Sequence, residues 1–195
     1  SAEESGRFRA VFADEYFRDV PTGAWYSADV SEAWKRGIVQ GVSPFIFSSG
    51  SELTRAMAVT MLSRALKADT EATDAPFADV AVDAWYADAV AWAKAQGIIN
   101  GIGNERFAPK ANVTREQYVV MLMRYAAANG KTVEPTELPY TDSGDISAYA
   151  VELLQSAQAA GLLKGYSDGT FQPKGSLTRA EGVTFLMRWL RWIES

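Results

Sequence analysis

The stretch Gly165-Tyr166-Ser167-Asp168-Gly169-Thr170-Phe171-Gln172-Pro173, followed shortly by Leu177-Thr178-Arg179-Ala180-Glu181, reads as a loop running into a capped helix. Asp168-Gly169 and Pro173 mark turns, and Phe171 between them reads as an apolar peg. Thr178 with Glu181 three positions later is a capping box: the hydroxyl takes one free N–H of the helix start and the glutamate takes another. Upstream, a helix beginning near Tyr149 closes at Gly161, where glycine suits a left-handed position. The unit is therefore helix, glycine-punctuated loop, helix.

The same unit occurs twice more. A shift of 64 carries Gly97, Gly101, Phe107, Pro109, Thr114-Arg115, Leu122 and Arg124 onto Gly161, Gly165, Phe171, Pro173, Thr178-Arg179, Leu186 and Arg188. A shift of 60 carries Phe17, Asp19, Trp25-Tyr26, Gly37, Gly41, Phe47, Thr54-Arg55 and Arg64 onto Phe77, Asp79, Trp85-Tyr86, Gly97, Gly101, Phe107, Thr114-Arg115 and Arg124. The opening of the third copy, Tyr140 and Asp142, is offset by 63, so one residue is inserted before Tyr149. Behind each threonine, Val59/Leu62/Leu66, Val119/Leu122/Ala126 and Val183/Leu186/Leu190 give one apolar face per copy. One helix pair of this size cannot bury that face alone, so the expectation is an all-α fold of three helix-loop-helix repeats sharing one core. The repeats span residues 17–66, 77–128 and 140–192 as one structural unit, after an N-terminal extension at 1–16. In that extension Phe8, Val11, Phe12 and Tyr16 suggest a short helix packing on the first copy, and Trp189 and Trp192 are expected to close the far end.

Composition narrows function by exclusion. With 195 residues and 48% apolar content the chain is an ordinary globular sequence, and its longest apolar run, Tyr118–Met123, falls far short of the roughly 18 residues that span a bilayer. No leader pattern is present, so a secretion signal is expected to lie outside this sequence. A net charge of −5 argues against a nucleic-acid partner. The absence of cysteine and histidine removes thiolate and imidazole metal sites, cysteine nucleophiles and the Ser–His–Asp triad. No catalytic residue, metal site or cofactor is expected. Ser167-Asp168-Gly169 lacks the ligand spacing of a calcium loop, and no acidic pair is marked out as a glycosidase dyad.

The repeated polar residues are the candidates. Arg55, Arg115 and Arg179 each open a capped helix, where free N–H groups and the helix dipole favour an anion and a guanidinium adds two-pronged geometry. The competing reading is an inter-copy pin to an acidic side chain. Trp25 and Trp85 read as core side chains first and as sugar-stacking platforms second. Gly41, Gly101 and Gly165 are turn residues or let a ligand approach the backbone. Asp19, Asp79 and Asp142 are expected to tie down backbone N–H groups or meet an arginine, and Arg64, Arg124 and Arg188 to cap carbonyls.

Phe77-Ala-Asp-Val, Trp85-Tyr86, Gly101, Gly165-Tyr-x-Asp-Gly-Thr-Phe-x-Pro and Leu177-Thr-Arg-Ala-Glu181 resemble S-layer homology domains in tandem, over about residues 17–190. The resemblance implies a three-pronged spindle of pseudo-threefold symmetry with ligand grooves between adjacent repeats. It also implies a secreted protein of the bacterial cell wall, typically Gram-positive, binding secondary cell-wall polysaccharide through a pyruvylated N-acetylmannosamine terminus. The family's site arginine maps onto Arg55, Arg115 and Arg179, and its loop glycine onto Gly41, Gly101 and Gly165. The first copy departs most, with Gly41-Val-Ser-Pro-Phe-Ile-Phe47 as its loop and Met57 in place of the motif's glutamate, so its loop's groove and Arg55 are expected to contribute least. The third copy has Tyr149 for the tryptophan.

The leading function is thus a non-catalytic, carbohydrate-binding anchor. The alternatives are an envelope assembly module that self-associates without sugar, a peptidoglycan-binding anchor, and, least supported, an enzyme.

Overall fold

The computed structural model describes residues 16–70 and 76–195. Among these there are six α-helices: α1 (Ser27–Lys35), α2 (Arg55–Ala65), α3 (Ala87–Ala95), α4 (Arg115–Ala128), α5 (Val151–Ala159) and α6 (Arg179–Ile193). A short 3-10 turn at Ser143–Asp145 precedes α5. No strand forms among the described residues; the chain is all-α, as expected. Phe8, Val11 and Phe12 lie outside the described residues, while Tyr16 stacks on Trp34 of α1 with centroids 3.9 Å apart.

Local chemistry sets the helix ends. Thr54, Thr114 and Thr178 are N-caps in extended conformation, each accepting from the N–H three residues on. The box is reciprocal at Gln117 and Glu181, and one-way at Met57. Gly37, Gly97 and Gly161 follow the caps of α1, α3 and α5 at φ of +73°, +69° and +70°, the region a side chain resists. These first helices start two residues later than Trp25, Trp85 and Tyr149. The aromatics therefore stand in the turn before the helix rather than on its apolar stripe. Val30/Ala33, Val90/Ala93 and Leu154/Ala157 form that stripe and are buried.

The helices pair between repeats. α3 of the second repeat packs on α2 of the first, α5 of the third on α4 of the second, and α1 of the first on α6 of the third. α2, α4 and α6 also touch one another. This changes the one-face expectation: α2, α4 and α6 are buried nearly all round, because each meets its two counterparts and a first helix from the next repeat. Trp189 is fully buried on α6 and meets Tyr125 edge-on.

The backbone closes where the three cap segments meet. Leu53 N–H donates to Leu177 C=O (2.7 Å), Leu177 N–H to Val113 C=O (3.3 Å), and Val113 N–H to Leu53 C=O (2.9 Å). All three side chains are buried. Next to this triangle the residues four past each cap threonine are Ala58, Tyr118 and Gly182. Tyr118 fills the shared space and donates its O–H to Gly182 C=O at 3.2 Å. A Cβ at Gly182 would run into Leu53, so one large residue there is matched by two small ones.

Candidate functional site

Each repeat first builds a rigid loop. Asp19 accepts the N–H groups of Phe47 and Ser48 on its two carboxylate oxygens, Asp79 those of Phe107 and Ala108, and Asp142 those of Phe171 and Gln172, all at 2.6–2.9 Å. The tie holds Ser48, Ala108 and Gln172 at left-handed φ of 64°, 58° and 57°, a conformation that non-glycine residues resist. Burial by itself pushes the Asp79 carboxyl up, but the two N–H donors and Arg106 outweigh it and hold it below its ordinary value. Phe47, Phe107 and Phe171 are buried pegs.

Gly41, Gly101 and Gly165 are explained by the protein itself. A Cβ would fall 2.5 Å from Ile46 O at Gly41, 2.6 Å from Arg106 O at Gly101, and 2.6 Å from the Tyr140 ring at Gly165. Loop carbonyls and the aromatic that opens each repeat fill the space.

Each arginine then reaches into the loop of the next repeat. Arg55 Nε donates to Phe107 O (2.8 Å), Arg115 Nε to Phe171 O (2.7 Å) and Arg179 Nε to Phe47 O (3.0 Å). Their Nη2 atoms reach Asn100 O (3.4 Å), Lys164 O (3.0 Å) and Gln40 O (2.8 Å), just before Gly101, Gly165 and Gly41. Each guanidinium lies over the peg ring, 4.5–4.8 Å from its centroid. The peg residue is thus a hub that sequence reading missed: its N–H holds the aspartate, its carbonyl and ring the arginine. Arg55 therefore serves the second repeat's loop, and the altered first-repeat loop receives Arg179. That transfers the expectation of least contribution from Arg55 to Arg179.

The helix starts are not open to an anion as expected. The first two N–H groups of α2 donate to Ala111 O and Pro109 O, those of α4 to Gly175 O and Pro173 O, and those of α6 to Ser51 O and Ser49 O, at 2.8–3.0 Å. The third is held by the cap threonine. What remains for a ligand is guanidinium. Arg55 and Arg179 are 5% and 7% exposed and form no ion pair with a carboxylate among the described residues. Burial holds both below their ordinary pKa, partly offset by Asp79 and Tyr149 near Arg55 and by Asp19 near Arg179. Arg115 differs: Glu181 lies 3.6 Å from Nη1 and also accepts the Tyr166 hydroxyl.

Three grooves result, each built from all three repeats. Tyr149, Arg55 and Asn100–Ile102 line one of about 440 Å³, with Gln117 and Arg124. Trp25, Arg115 and Lys164–Tyr166 line another of about 440 Å³, with Glu181, Arg188 and Arg191. Trp85, Arg179 and Gln40–Val42 line the third, of about 210 Å³, with Met57 and Arg64. Trp25 is 64% exposed, Trp85 61% and Tyr149 52%, which overturns the core reading of the tryptophans. An indole's apolarity says nothing about which side of the chain it leaves; its place before the helix start decides that. Tyr149 is the groove aromatic that the candidate set left out, although register with Trp25 and Trp85 pointed to it. Arg124 and Arg188 donate to Ile98 O (3.3 Å) and Leu162 O (2.7 Å), carbonyls just past the first helix of the same repeat rather than at the end of their own helix as expected, while also facing the grooves.

Residues 76–119 and 139–181 match the S-layer homology domain, so the chain carries two such repeats at those segments. It is 34% identical over 169 residues to an endoglucanase of Bacillus sp. (strain KSM-635), covering 86% of this chain and 18% of that protein. A cellulosome-anchoring protein of Acetivibrio thermocellus is 27% identical over 155 residues, 77% of this chain and 34% of its own length. The S-layer protein sap of Bacillus anthracis is 27% identical over 177 residues, 90% of this chain and 21% of its own. The chain thus spans between about a fifth and about a third of the length of these relatives.

Proposed function

We propose that this chain is a non-catalytic module that fastens a larger protein to the bacterial cell wall at the cell surface. In this reading residues 17–66 are a third S-layer homology repeat, and the repeats form a three-pronged spindle. Its grooves take secondary cell-wall polysaccharide at an anionic terminus such as pyruvylated N-acetylmannosamine.

The observation that carries this is the pairing, in each groove, of a solvent-facing aromatic with an arginine from a helix start, buried at Arg55 and Arg179. Arg55 and Arg179 have already lost most of their water and are held by carbonyls, with no carboxylate in direct ion-pair contact among the described residues. A ligand carboxylate entering there gains a charge-assisted contact at little added desolvation cost. An aromatic face opposite suits the apolar side of a sugar ring. The relatives, whose names differ while the matched portion is similar, support a module that carries other activities rather than performing one.

The test is retention on purified wall sacculi before and after acid extraction of the secondary polysaccharide. Retention only before extraction is expected. Retention in both would point to peptidoglycan, and retention in neither to a protein assembly module.

A further inference from the structure

The groove lined by Tyr149 departs from the other two at a second position in contact with the first. Tyr149 stands where they carry Trp25 and Trp85, and Glu116, second residue of α4, stands where α2 and α6 have Ala56 and Ala180. The two departures touch: the Tyr149 hydroxyl donates to Glu116 Oε1 at 3.2 Å. Glu116 is itself fixed. It is 3% exposed, pairs with Lys174 Nζ at 2.6 Å, and accepts the Ser147 hydroxyl at 2.8 Å and the Ser147 N–H at 3.0 Å. Lys174 Nζ also donates to the Ser147 hydroxyl. The Tyr149 hydroxyl also meets the Ser147 side chain, so a half-exposed surface tyrosine is tied into a buried polar anchor.

We propose that Glu116 is the positioning residue of this groove: it locks the Tyr149 ring, through the phenol, at the mouth opposite Arg55. The inference rests on the groove being a sugar site. A tryptophan at this position presents a larger ring; a tyrosine turns about the same two torsions with a smaller one, and is held by a hydrogen bond instead. The polar pair Tyr149 and Glu116 thus substitutes for the apolar pair of a tryptophan and an alanine. The ring stays where a sugar face meets it, and the ligand is spared the ordering of a free side chain.

Two measurements test this. The first needs no ligand: a double-mutant cycle of Glu116→Ala and Tyr149→Phe by melting. Coupling is expected, the double variant losing less than the two single losses combined; additive losses overturn the lock. The second titrates a pyruvylated N-acetylmannosamine glycoside into Trp25→Ala/Trp85→Ala, which leaves Tyr149 as the one aromatic of the three that stand before the first helices. Adding Glu116→Ala there should weaken binding about three- to tenfold, the cost of ordering one released side chain. Adding Tyr149→Trp as well should restore it, a rescue that general destabilisation does not produce. Unchanged binding in the folded Glu116→Ala protein, or no rescue by Tyr149→Trp, overturns the positioning role. If wild type ignores the glycoside while the melting cycle shows coupling, the sugar-site reading fails, and the role at the groove with it.

Discussion

Arg191 in the last helix and Asp29 in the first are joined by an ion pair of 2.9 Å across 162 positions of sequence. Arg191 also reaches Glu32 at 3.2 Å, and Arg36 at the end of α1 reaches Glu194 at 2.7 Å. These charges are half or more exposed at one partner, so the pairs themselves contribute about 0–1 kcal/mol each. They mark a larger fact: one of the three inter-repeat helix pairs is assembled from the two ends of the described chain.

Cutting the chain by its sequence repeats therefore cuts across its packing. A fragment of residues 77–128 holds α3 and α4, which belong to different inter-repeat pairs. It is expected to lack a cooperative melting transition. A sharp two-state melt of that fragment would refute the shared core.

The caps should rank by their completeness. Thr178→Ala removes a reciprocal box and should cost about 1 kcal/mol. Thr54 accepts only the Met57 N–H, at 3.3 Å, so Thr54→Ala should cost less. Matched thermal melts decide, and an equal or larger loss at Thr54 contradicts the ranking.

Asp79→Asn should lower stability by about 1–3 kcal/mol, because an amide NH2 would face a backbone N–H that the carboxylate now satisfies. The folded-state pKa of Asp79 is depressed, so its contribution is present above the unfolded aspartate pKa and is lost as pH falls through the folded value. The gap between wild type and variant should be full at neutral pH and shrink below the ordinary aspartate range. Denaturant melts across acid pH measure it, and a gap that widens in acid is the wrong sign.

Replacing Arg55 with alanine should remove a charge-assisted contact worth about 1.5–3 kcal/mol, roughly 10- to 150-fold in affinity for the glycoside. Arg55→Lys should recover part, lacking the two-pronged geometry. Arg179→Ala should change binding least, since its groove is half the volume of the other two and holds Met57. Calorimetric titration of folded variants checks this; wild-type affinity in both Arg55→Ala and Arg115→Ala would make the arginines purely structural.

Features with a local cause were legible in the sequence. The cap threonines, the glycines after α1, α3 and α5, the phenylalanine pegs and the aspartate ties each depend on neighbours a few residues away or on a spacing that recurs. Features caused by one repeat meeting another were not. Nothing near Arg55 says that its guanidinium sits on Phe107, 52 positions on, instead of in its own repeat's loop. The N–H groups that looked open at Arg115 are taken by Gly175 and Pro173, which only packing brings there. Trp25 and Trp85 misled because apolarity suggests burial without giving direction, while their place ahead of the helix turned them outward.

The three hydrogen bonds joining Leu53, Leu177 and Val113 also count. Each of these residues gives its N–H to one neighbour and its carbonyl to the other, so the cycle is complete and leaves no N–H free. A fourth copy of the unit could enter only by breaking one link, and Tyr118 would then face a space it no longer fills. Lengthening by duplication is therefore closed to this module as it stands. Stronger attachment has to come from improving individual grooves, or from setting a second complete ring of three beside the first.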